Sequence, residues 1–227
     1  MRCYLFISII FLSCEVVAQH TDWATEFQSS FIDISGLFGL DEPAQVIAMR
    51  YQNGGIFLDG FHSFSWKEPG KTIQTFFSGG YGFYADSLRR WHLSIGNGFA
   101  FNRVAANGSF LRPVATVTFN STSVHSFALV SWMFLDTRRS ADQPLNGATG
   151  YFGYILRLPL PKFEFRNEIR LLYSHVEEIR NVAGVTNQVK LTENKTKLYV
   201  ILNTGYSFYR SDRVTEFVWN VGAGVKF

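Results

Sequence analysis

The feature that most constrains this chain is a strict two-residue alternation, clearest in its last segment. Phe217, Trp219, Val221, Ala223, Val225 and Phe227 fall on one side, and Glu216, Asn220, Gly222, Gly224 and Lys226 on the other, with Val218 the single apolar intruder. Successive side chains of a strand point to opposite faces, so this segment reads as a strand with one apolar and one polar or small face. Upstream, Phe163, Phe165, Ile169, Leu171 and Tyr173 alternate with Glu164, Arg166, Glu168 and Arg170. Trp91, Leu93, Ile95, Phe99 and Phe101 alternate with His92, Ser94, Gly96, Gly98 and Asn102. The pattern returns in Ile73, Phe77, Tyr81 and Phe83, and in Leu198, Val200, Leu202, Tyr206 and Phe208, where Tyr199 and Ile201 blur its start. In the first segment Trp23, Phe27 and Phe31 oppose Glu26, Gln28 and Ser30. No stretch has a helical period with caps. Gly and Pro punctuate between the runs, as at Asn53-Gly54-Gly55 and Pro159-Leu160-Pro161.

Ahead of the alternating region, Met1 to Ala18 has a basic start at Arg2 and an apolar run from Tyr4 to Leu12. Val16 and Ala18 occupy the small-residue positions of a cleavage site. Residues 1–18 therefore read as a secretory signal peptide, with Gln19 the expected new N-terminus; the run is too short for a membrane helix. A rival reading lipidates Cys14, but Phe11-Leu12-Ser13 is a poor match to that motif. Both cysteines, Cys3 and Cys14, lie in this leader, which excludes disulfide-stapled and cysteine-based metal or redox classes for the rest.

An all-β chain of this kind is either a soluble sandwich or a membrane barrel. The runs often reach ten or more residues, where globular strands average five or six and tilted membrane strands need about 9–11. Aromatics make up 17% of the chain, with 23 Phe and 10 Tyr, and they crowd the apolar faces near strand ends, as in the girdles of outer-membrane barrels. Charged residues are also 17%, below the ~25% of a soluble domain. In lipid an open sheet edge is intolerable, so the sheet must close.

On these residues the chain resembles a bacterial outer-membrane β-barrel protein. The closing Phe217, Trp219, Val221, Val225 and Phe227 are similar to the C-terminal signal read by the barrel-assembly machinery, and the Val17-Ala18-Gln19 junction is similar to leaders common in Bacteroidota. The resemblance implies an antiparallel transmembrane barrel over residues 19–227. It also implies residence in the bacterial outer membrane among lipid and lipopolysaccharide.

Candidate strands are 21–34, 44–52, 55–66, 71–84, 89–103, 109–120, 124–136, 149–160, 163–177, 184–192, 196–208 and 214–227, about twelve in all. The weakest is 184–192. Fusing 44–66 into one bent strand and dropping the weakest leaves ten as the alternative. Residues 137–148, with Arg138, Arg139 and Asp142, form a long external loop, and 178–183 form another. The turns at 53–54 and 161–162 are short and periplasmic.

On the polar faces, Glu26, Arg50, His92, Ser94, Arg112, Arg157, Glu164, Arg166, Glu168, Arg170 and Lys226 are the candidate lumen-lining residues. The Glu164–Arg170 ladder suits either a charged filter for solutes or a salt-bridged plug. An excess of arginine favours anions mildly. His92 and Ser94 share a strand face, so an imidazole could activate a hydroxyl. The stretch faintly resembles the His-x-Ser-Asn motif of outer-membrane phospholipases and lipid A deacylases. It departs from it because Ile95 and Gly96 precede Asn97, and because Trp91, Leu93 and Ile95 claim the lipid side. No phosphate loop, dinucleotide fingerprint or metal-type His spacing is present, so no cofactor or metal is expected. The net charge of +3 without a basic cluster gives no ground for nucleic-acid binding. Three functions stand at this stage: a narrow passive channel for a small solute, a plugged structural or partner-binding barrel, and a lipid-modifying enzyme at His92 and Ser94.

Overall fold

Alternation becomes pairing in the computed structural model, which describes residues 20–32, 37, 39–102, 108–137, 146–176, 180–210 and 216–227. The wall consists of β1 (His20–Gln28), β2 (Ala44–Asn53), β3 (Ile56–Ser65), β4 (Thr72–Tyr84) and β5 (Trp91–Asn102). It continues with β6 (Gly108–Leu111, resuming at Val114–Asn120 after Arg112-Pro113), β7 (His125–Asp136), β8 (Gly147–Pro159) and β9 (Phe163–Val176). It ends with β10 (Arg180–Glu193), β11 (Leu198–Tyr209) and β12 (Phe217–Lys226). Each strand pairs antiparallel with its neighbour in sequence, and β12 returns to β1, with Glu26 opposite Gly224 and Gln28 opposite Gly222. The result is a closed twelve-stranded antiparallel barrel, the arrangement that leaves no unpaired edge in lipid. The start of β1, the end of β12 and the tight connections, such as 54–55 and 160–162, lie at one end. The strand ends that flank the longer stretches 29–43 and 137–146 lie at the other. By the usual asymmetry of such barrels the first end is periplasmic and the second external.

Apolar side chains point outward. Trp219 is 57% exposed and Ile95 70%, values that make sense only against lipid. Polar side chains caught on this outer face pair with one another: Asn167 Nδ2 donates to Asn187 Oδ1 at 2.7 Å, and His62 Nδ1 lies 2.8 Å from Thr75 Oγ1. In hydrocarbon an unpaired group costs several kcal/mol, on the order of 2–7 by transfer scales.

The structure revises the sequence expectations at several points. The ten-strand alternative fails because β2 and β3 form a tight hairpin through Gly54, whose φ of +58° suits glycine. The tenth strand is not 184–192 but Arg180–Glu193, so most of the expected 178–183 loop is wall. The pattern hides its start because Val182 is buried on the inner face, which reverses the expected contrast. The first strand ends at Gln28 rather than 34, and Phe31 leaves the outer face to become fully buried inside. Ile73 is likewise interior. It is skipped in the β3–β4 register, where Ser63 faces Gln74 and Phe64 faces Thr72, and this bulge turns it inward. Tyr199 and Ile201 are buried on the lumen side of β11. Gly147 and Ala148 belong to β8, while Arg138, Arg139 and Asp142 fall outside the described residues, as does the 1–18 leader.

Within the external end, Phe31–Ile32 and Gly39–Leu40 pair as a small inner hairpin separate from the wall. Phe31 packs with Ala44, Val46 and Ile73 in an apolar cluster against which Leu40 and Phe61 also lie.

Candidate solute pathway

Strand parity puts the expected lining residues that lie in strands on the inner face, and the structure brings seven of the expected residues, Arg112 among them, around one cavity. Arg50, His92, Ser94, Arg112, Arg166, Glu168 and Arg170 border a space of about 420 Å³. The Glu164–Arg170 ladder of β9 is the charged core of this space. Glu168 accepts from Arg170 Nε at 2.6 Å and from Arg166 Nη2 at 2.7 Å. Its side chain is only 4% exposed, whereas those of Arg166 and Arg170 are 35% and 18% exposed. One carboxylate therefore serves two guanidinium groups and leaves net positive charge facing the lumen.

Opposite, Arg50 Nε lies 3.5 Å from Asp59, on neighbouring strands in direct register. Arg112 is 5% exposed. Its guanidinium lies over Phe76 at 4.2 Å and Trp132 at 4.8 Å from the ring centroids, contacts worth up to about 2 kcal/mol when desolvated. Trp132 meets Tyr151 edge-on at 6.0 Å, and Arg170 lies 4.9 Å over Tyr151. A run of aromatic rings flanked by arginines thus lines the inner wall from β4 to β9. The indole Nε1 of Trp132 is buried and has no hydrogen-bond partner.

His92 packs into the space that Gly82 leaves open: a Cβ there would sit 2.8 Å from Nε2 of the imidazole. Tyr84 meets the same ring at 5.0 Å. Both His92 and Ser94 face the cavity, away from the lipid-side Trp91 and Ile95.

A second inner space, about 260 Å³, lies toward β10–β2 and is bordered by Glu26, Gln188, Lys190 and Tyr199. Here the wall carries a ladder of amides. Gln188 Nε2 donates to Asn203 Oδ1 at 2.9 Å, Asn203 Nδ2 to Asn220 Oδ1 at 2.7 Å, Asn220 Nδ2 to Gln28 Oε1 at 3.1 Å, and Gln28 Nε2 to Glu26 Oε1 at 2.8 Å. Lys190 Nζ lies 3.4 Å over the Tyr199 ring. Arg157 and Glu164 have the lumen parity near the periplasmic end, and Lys226 pairs there with Asp22 at 3.0 Å.

Sequence reasoning did not single out Asp59, Phe76, Trp132, Tyr151, Lys190 or Tyr199. Parity alone could have found Asp59, which shares a face with Phe57 and Phe61. Trp132 carries no such signal, because Ala128, Val130 and Trp132 make the inner face of β7 as apolar as its outer one.

No protein-family model matches the chain, and no curated protein matches it. Solved structures do. The NanC porin superposes with a TM-score of 0.57 at 10% identity, covering 91% of this chain and 98% of that one. The KdgM porin, in complex with disordered oligogalacturonate, gives 0.56 at 15% identity over 91% of this chain and 98% of its own. The fold of this chain is that of an outer-membrane β-barrel.

Proposed function

We propose that the protein is a narrow passive channel of the bacterial outer membrane, with a mild preference for anionic solutes. The carrying observation is the arginine-lined cavity: Arg50, Arg112, Arg166 and Arg170 border it against only two acids, Asp59 and Glu168. Fixed charge at close quarters in a narrow lumen selects ions by sign. Sharing its fold with two proteins named as porins supports the same reading, and the acidic sugar chain named with one of them agrees with the sign of the charge. Outer-membrane lipid and lipopolysaccharide surround the barrel, and the barrel-assembly machinery inserts it. In this reading His92 and Ser94 line a water-filled path and are not a lipid-cleaving pair, since a lipase must present its nucleophile to lipid.

A second reading, a plugged scaffold, is favoured by one observation, the buried inner hairpin at the external mouth. Single-channel recording in a planar bilayer separates the two. Discrete steps with a reversal potential on the anion side are expected. A silent bilayer, with the barrel shown folded by its heat-modifiable gel mobility, points to the scaffold. Cation preference overturns the selectivity.

A further inference from the structure

The arginine-lined cavity is not polar all round. Aromatic rings border it on two sides, Phe57 and Phe76 on β3 and β4, and Trp132 and Tyr151 on β7 and β8. Glycines seat two of these rings against the wall. A Cβ on Gly80 would stand 2.6 Å from the Phe57 ring, and one on Gly153 3.3 Å from the Tyr151 ring.

Holding arginines accounts for part of this apolar surface, because Arg112 lies over Phe76 and Trp132, and Arg170 over Tyr151. It does not account for Val130 and Ile155. Both border the same cavity, and an aliphatic side chain offers a cation no π face. In a path for inorganic ions or sugars alone they would be a cost, since apolar walls repel water from a narrow lumen.

Their placement is specific. Val130 faces Tyr151 across the β7–β8 pair. On the next pair Ile155 faces Glu168 and Gly153 faces Arg170, so Tyr151 and Ile155 flank the position opposite Arg170. Neighbouring strands are about 4.8 Å apart, so an apolar shelf of Tyr151, Val130 and Ile155 adjoins the charged group of Arg166, Glu168 and Arg170. That group carries two guanidinium groups to one carboxylate, with the Arg166 side chain 35% exposed.

We propose that this cavity is a binding site for a small monocarboxylate with an apolar, ring-sized body. The carboxylate sits in the positive field of the β9 group and the body lies on the shelf. A hydroxyl-rich acid meets the same charge but leaves its hydroxyls against apolar side chains, where they lose water without gaining partners. The inference deepens the channel reading by naming the solute class, and its binding is measured without current.

The test is calorimetric titration of the purified chain, folded in detergent, with benzoate and with gluconate, against empty micelles as the blank. The two anions share a charge and differ in body. Benzoate should bind roughly tenfold tighter, as half a ring removed from water predicts. Val130→Thr keeps the side chain's shape and replaces a methyl by a hydroxyl; it should weaken benzoate about threefold and leave gluconate unchanged. Arg166→Gln should weaken both. Gluconate binding as tightly as benzoate overturns the proposal, as does a Val130→Thr effect that is absent or equal for the two anions, or an Arg166→Gln effect on neither. Should a variant not fold, the wild-type comparison of the two anions decides. In a planar bilayer benzoate should also block the chloride current saturably, at the concentration the titration gives. Chloride steps without saturable benzoate binding sink the site and leave the channel reading standing. Benzoate binding to a barrel that passes no current sinks the channel reading and leaves the site.

Discussion

Arg170 Nε lies 2.6 Å from Glu168 Oε1, two residues back on the same inner face of β9. The other carboxylate oxygen is taken by Arg166, so Glu168 holds down the positive field of two arginines at once. Glu168→Gln keeps the shape and removes the charge. The reversal potential in a salt gradient should move further to the anion side, with the anion-to-cation permeability ratio rising several-fold. Breaking a buried pair costs about 3–5 kcal/mol when the remaining charge is fully buried. Here Arg166 is partly solvated, so a loss of about 1–2 kcal/mol is expected, small enough for the barrel to stay folded. An unchanged or cation-shifted reversal potential would show that this ladder does not face the permeating ions.

Asn220 is the pivot of the other wall. With no exposed surface, it donates to Gln28 and to the Ser30 carbonyl and accepts from Asn203. Asn220→Ala leaves the part-buried Ser30 carbonyl and the Gln28 and Asn203 amides short of a partner, each worth less than the roughly 1–3 kcal/mol of a fully buried group. The urea midpoint of the folded barrel in detergent should fall by an amount equal to about 2–4 kcal/mol on the same scale. Channel noise should rise as the inner hairpin loses its tether. A midpoint equal to the wild type's would mean that the ladder is incidental to stability.

How much of this was readable beforehand follows from what alternation encodes. It fixes which residues share a face, so Phe217, Trp219 and Val221 against Asn220, or Arg166, Glu168 and Arg170 against Ile169, came out of the sequence with their sides assigned. Alternation does not say what lies beyond a face. Phe31 and Ile73 look lipid-facing because an apolar residue carries the same signal whether it meets lipid or an inner hairpin. Trp132, Tyr199 and Ile201 break the pattern for a related reason. Arg112 lies on the ring of Trp132 and Lys190 on that of Tyr199, and Ile201 borders the amide-lined space. The Asn220–Gln28 bond joins residues 192 positions apart, and only barrel closure brings them together. The tenth strand begins at Arg180 rather than 184 because its first residues invert the pattern: Val182 is buried on the inner face and Asn181 is polar on the outer one, where it accepts from Tyr173.

His92 and Ser94 invite the test of a hydrolase, and their placement predicts its result. Both border the arginine-lined cavity, and the imidazole is wedged over Gly82 beside Tyr84. Phospholipid in mixed micelles should be left intact by the wild type. The double variant His92→Ala, Ser94→Ala should fold and conduct, with at most a modest change in current. Fatty acid release that disappears in His92→Ala would overturn the channel assignment in favour of an enzyme.

Closure of the barrel ends on Phe227. Its N–H donates to the Trp23 carbonyl at 2.7 Å, and the Trp23 N–H donates back to the Phe227 carbonyl at 3.2 Å. The ring itself is 73% exposed and so adds little by burial against the protein. A side chain that contributes little to packing, at the last rung of the closing β12–β1 pair, is suited to recognition during insertion. Phe227→Ala keeps both backbone bonds and removes the ring. Refolding of the purified chain into detergent should proceed to the same yield as the wild type. In cells the heat-modifiable, membrane-inserted fraction should drop several-fold, with unfolded chain accumulating in the periplasm. If both yields fall together, Phe227 is a structural closure residue. If neither falls, the terminal ring is not what the assembly machinery reads in this chain.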